Sequence, residues 1–207
     1  MGELIISFFK LLFAIFLLPL VISCSLEIKN FFITYSGTDK EFFLWGLLAF
    51  LITFIFVHPF RGFHEFGQRM ISGLLKVIAP LDQVVANIIP FFTLVIVIVY
   101  WVVDHFFKLN QYSHYFVFFA GFTFCMHVIL VAQILQEQEK SILKPNYFWS
   151  MALYFVLNVF IIVLLLDLII GQFTFSTFFK SMISNAWDLY VDVYNKIMSL
   201  MVKGKVK

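Results

Sequence analysis

The chain has 207 residues, of which 62% are hydrophobic and 13% charged, and its net charge is +2. A soluble domain carries about 25% charged residues. One core of this length cannot hide so much apolar side chain, so hydrocarbon is the expected solvent. So small a net charge offers no electrostatic footprint for nucleic acid, which is excluded as an expected partner.

In chain order, residues 4–24 (LIISFFKLLFAIFLLPLVISC) are long enough to span a bilayer. They read as a spanning helix or signal anchor, although Val21-Ile22-Ser23-Cys24 also has the form of a lipoprotein processing box. Lys10 can reach the near interface by snorkelling. Residues 25–41 are polar, with a turn signal at Ser36-Gly37. Residues 42–58 form a second span, with Trp45 near one end. Cys24 and Cys125 have no neighbours at metal-ligand spacing and read as small apolar residues.

Residues 59–83 (PFRGFHEFGQRMISGLLKVIAPLDQ) mix charges, Gly and Pro. Lipid would not tolerate that mixture on an exposed helix, so a packed, re-entrant or interfacial segment is expected. Residues 84–103 span again, with a kink at Pro90. Residues 115–135 span with His127 inside, residues 136–147 form a charged loop, and residues 148–171 span with Asn158 and Asp167. From 172 onward an amphipathic helix carries Phe175, Phe179, Met182, Leu189, Val193 and Ile197 on one stripe, before a Lys-rich end.

The expected fold is therefore all-α and integral to the membrane. It has a bundle of five or six transmembrane helices over 1–171 and an amphipathic C-terminal helix over 172–207. With five spans, the basic loops 59–83 and 136–147 share a side with the N-terminus, which the positive-inside rule makes cytoplasmic. If 59–83 crosses instead, there are six spans, and the N-terminus and the basic tail share that side. A bacterial inner membrane is the expected location.

The one stretch with a chemical pattern is Arg61-Gly-Phe-His64-Glu65-Phe-Gly-Gln68-Arg69. His64-Glu65 opens the pattern H-E-x-x-H, in which two imidazoles one helical turn apart hold zinc and the Glu polarises the attacking water. Later come Ile89-Pro90-Phe-Phe-Thr93, Gly121-Phe-Thr123-Phe-Cys-Met-His127 and Gln136-Glu-Gln138-Glu-Lys-Ser141. Over roughly residues 57–165 the chain resembles the site-two-protease-like intramembrane zinc metallopeptidases. The resemblance implies a metal ligand at His64 and a catalytic acid-base at Glu65. The chain departs from that pattern where Gln68 replaces the second imidazole. It departs again where Glu137, Glu139 or Ser141 stand in place of an Asp ligand. The expectation is a pseudoprotease with no cofactor, zinc being the alternative.

Arg61 and Arg69 are the only two arginines. A cluster of Arg61, His64, Glu65 and Arg69 is expected as polar glue or as a contact to lipid phosphate. Inside the bundle, His127 is expected to find a neighbouring helix, with Asn158 as candidate partner. His127 and Asp167 are the candidates for a proton or ion role. The expected role of the chain is that of a non-catalytic membrane subunit that contacts lipids and docks on other membrane protein subunits through its C-terminal stripe. The alternatives are an intramembrane zinc metalloprotease with unusual ligands and a small ion or solute conduit.

Overall fold

The computed structural model describes residues 2–34, 38–56, 60–75, 82–108, 110–139, 145–171 and 174–204. All regular structure among them is helical: α1 (Gly2–Thr34), α2 (Thr38–Phe56), α3 (Phe60–Leu74), α4 (Asp82–Ile88), α5 (Phe91–Phe107), α6 (Ser113–Glu139), α7 (Pro145–Ile170) and α8 (Phe175–Gly204). The expected turn at Ser36-Gly37, the loop lysines Lys140 and Lys144, Ser141 and the last three residues lie outside the described residues.

Three of these helices, α1, α6 and α7, are long and apolar enough to cross a membrane, and a fourth span results if α2 and α3 count as one bent span. This is a helical membrane protein. Two sequence expectations change. The first helix does not end at residue 24 but runs on to Thr34, because Ile28, Phe31 and Phe32 continue its packed face beyond Glu27. Cys24 is thereby fully buried in the middle of α1, packed in the core. The expected span 84–103 is two helices, because Pro90 cannot donate a backbone hydrogen bond and the chain restarts there as α5.

Helix directions follow from paired contacts. Phe42 meets His114, and Phe50 meets Phe122, so α2 and α6 run parallel. Two glycines hold them together. A Cβ on Gly46 would overlap the Phe118 carbonyl, and one on Gly121 would overlap the Phe43 carbonyl. Such backbone approach is the usual way membrane helices associate, since lipid tails supply no hydrophobic force between them. Thr93 meets Thr123 and Tyr100 meets Phe116, so α5 runs antiparallel to α6.

The turn from α7 into α8 uses Gly171 at φ 72°, a conformation open to glycine without strain. Asp167, in the last turn of α7, then caps α8: it accepts the Thr174 hydroxyl at 2.8 Å and the Phe175 backbone N–H. Helix α8 returns antiparallel along α1. Phe178 meets Phe31, Asn185 donates to Glu27, Ser23 donates to the Met182 carbonyl, and the Tyr190 hydroxyl donates to the Phe16 carbonyl.

Candidate functional site

Helix α3 presents three faces. Its inner face carries His64, Gly67 and Ile71, all buried. A second carries Phe63, Phe66, Met70 and Leu74, all exposed. The third carries Arg61, Glu65 and Arg69. Apolar, charged and packed faces together are what a helix at the membrane boundary needs.

His64 and Glu65 are neighbours in sequence, so on a helix they point about 100° apart. Glu65 faces outward, 3.1 Å from Arg61 and 3.7 Å from Arg69. Arg61 also forks onto Glu137 at the end of α6, at 2.8 and 2.9 Å. This bidentate pair places the start of α3 and the end of α6 at one end of the bundle. The observed cluster is therefore Arg61, Glu65, Arg69 and Glu137. His64 is not part of it, because its place on the helix turns it inward.

Inside, His64 lies against His127 of α6, ring centroids 5.4 Å apart, both rings at least 96% buried. The backbone carbonyls of Asn87 and Ile88 approach the His127 imidazole. It does not use Asn158, whose amide donates to Tyr154 one turn back. Gln68, one turn on from His64, donates to the Asn87 side chain. A cavity of about 10 Å³ lies among His64, Gln68, Thr123, Met126 and His127, room for one water-sized occupant. Both ring nitrogens of His64 and Nε2 of His127 have no hydrogen-bond partner among the described residues.

This donor set does not fit a catalytic zinc. Such sites use three protein ligands and an open position. Here two imidazoles meet, Gln68 offers only an amide oxygen, a poor zinc ligand beside imidazole, and Glu65 points away toward arginine. Among the described residues no three His, Cys, Asp or Glu side chains gather where a metal could sit. Asp167 is not near this cavity; its carboxylate is the cap of α8.

The expected docking stripe of α8 divides. Met182 is buried against α1, together with Phe178 and Ala186, and Phe175 packs on the same core. Leu189 is half-buried. Phe179, Val193 and Ile197 stay exposed, as does every described side chain from Val191 to Met201.

Sequence reasoning passed over Glu27. In sequence it falls in the stretch 25–41 that reads as a polar connection, yet it lies within α1 and is 7% exposed. The signal was present: Ile28, Phe31 and Phe32 resume the apolar pattern directly after it.

No family model matches the chain, and neither a curated protein nor a solved structure is similar to it.

Proposed function

We propose that the chain is a non-catalytic multispanning subunit of a larger membrane complex, and that α8 is the element its partner covers. One observation carries this reading. Asp188 is exposed and lies between two contacts that fix the register of α8 on α1, Asn185 to Glu27 and Tyr190 to Phe16. The stretch of α1 alongside it belongs to the uncharged run Leu11–Leu26, which covers about 24 Å at 1.5 Å per residue. An aspartate facing lipid at that depth costs about 2.5–3.5 kcal/mol by insertion scales. Lys180, Ser184, Asp192 and Lys196 are exposed on the same helix. A protein partner with complementary polar groups removes the cost; lipid does not.

The same register favours six crossings, with α8 as the sixth and with α3 and α4 returning to the side they left. The start of α1, Arg61, Arg69, the end of α6 and the end of α8 then share one side. The positive-inside rule makes that side cytoplasmic. The outward position of Glu65, held by Arg61 and Arg69, favours the pseudoprotease form of the resemblance to site-two-protease-like proteins.

The test is the native mass of the chain solubilised from its own membrane in mild detergent. The expected particle is larger than the 24.3 kDa chain, and Asp188→Leu releases the single chain. If Asp188 instead faces lipid, the wild type runs as a single chain and Asp188→Leu only stabilises it.

A further inference from the structure

Where α8 begins its course along α1, the two helices leave a groove of about 620 Å³, lined by Glu27 and Asn30 of α1 and by Thr177, Ser181, Ser184 and Asn185 of α8. Its volume falls within the range of small-molecule sites, about 300–1,000 Å³. Phe31 and Phe178, edge to face at 6.1 Å, close its inner side.

Glu27 is the chemical centre of this groove. It is 93% buried, taking its 7% exposure from unity. Its Oε1 accepts the side-chain amides of Asn30 and Asn185. Among the described residues no Lys, Arg or His pairs with it. Two neutral amides offset only part of the cost of burying a carboxylate, which calls for a positive charge. The hydroxyls of Thr177, Ser181 and Ser184 face the same space and make no hydrogen bond among the described residues. They offer acceptors at steps of three and four residues along α8.

The shape selects the cation. A bare divalent ion takes six or more oxygens in a tight cage, several of them carboxylate. This groove has one carboxylate and a volume many times that of an ion. A quaternary ammonium prefers a cage of aromatic faces, whereas this lining has only Phe31 and Phe178 among its hydroxyls and amides. A primary ammonium has three N–H donors and matches one carboxylate plus hydroxyl acceptors. Depth adds a constraint: Glu27 is the first charged residue after the run Leu11–Leu26, which sets it at the level of the headgroups when α1 spans.

We propose that the Glu27 groove binds a primary ammonium group of the ethanolamine type, its N–H bonds shared between the carboxylate and the α8 hydroxyls. Two sources carry that group at this depth, a free amine and an aminoethyl lipid headgroup. This site stands whether or not α8 has a protein partner, since it needs only α1 and α8.

The full chain is placed in phosphatidylcholine nanodiscs with and without ethanolamine, and in phosphatidylethanolamine nanodiscs without it. Thermal unfolding and native mass spectrometry are the readouts. A rise in melting temperature with free ethanolamine in the first discs identifies a soluble amine. A retained phosphatidylethanolamine adduct with no response to free ethanolamine identifies the lipid. Either response weakens at least tenfold in Glu27→Gln. Should that variant fail to fold, Ser181→Leu with Ser184→Leu fills the groove from the α8 side and gives the same loss. No response in any disc, or an equal response in the variants, overturns the proposal.

Discussion

At the scale of single residues, helical geometry separates what the sequence joins. His64 and Glu65 look like one motif, yet one enters the bundle and the other meets arginine at its surface. Glu65→Gln is therefore expected to leave the metal content of the purified protein unchanged, as read by elemental analysis. Its effect should instead fall on the Arg61 and Arg69 contacts, and shrink with added salt. His64 carries two buried ring nitrogens without partners among the described residues. Leaving such groups unsatisfied, by protein or by a water in the adjoining cavity, costs about 1–3 kcal/mol. Replacing His64 with Leu removes them while keeping volume in the packed site. Unfolding in a denaturing detergent should then show equal or greater stability. A clear loss would mean that those nitrogens are hydrogen-bonded in the membrane.

Among the elements, the pair α2 and α6 and the turn into α8 are the joints of the bundle. Gly46→Leu or Gly121→Leu would force the two backbones apart, because each glycine faces a main-chain carbonyl of the other helix. Both variants are expected to lose folded yield, measured as the fraction that remains monodisperse after extraction. Gly62 has open space around it, so Gly62→Ala is the control that should cost nothing measurable. Asp167, a candidate for ion chemistry, caps the start of α8 from the last turn of α7. Asp167→Ala should cost about 1 kcal/mol, as lost caps do, and Asp167→Asn less, since one acceptor oxygen remains. Protease cleavage within the first turns of α8 would report the loss.

For the whole molecule, the question is which ends of the helices share a side. Parallel α2 and α6, antiparallel α5, and α8 folded back on α1 together put the end of α8 near the start of α1. Single cysteines introduced at residues 110 and 205, in a chain otherwise free of accessible thiols, test this. A membrane-impermeant reagent should label them from opposite sides. Labelling of both from one side would remove α8 as a crossing and return it to the membrane surface.

Composition and periodicity were enough for the class: uncharged runs of this length have no stable place outside a membrane, and the spans at 115–135 and 148–171 follow directly. The three- and four-residue repeat from Phe175 onward likewise marked α8 as a helix, because one buried stripe requires that period. Local pattern could not say what the stripe would meet. Met182 turns to α1 only because Gly171 and Asp167 fold α8 back, a contact across 159 residues of chain at Ser23. The same distance in sequence hid Glu27, whose partner Asn185 lies 158 residues away. It also hid the approach of His64 to His127. Charge and apolar spacing decide which segments enter the membrane. Which polar residues are then buried together depends on helix directions, and only the assembled bundle fixes those.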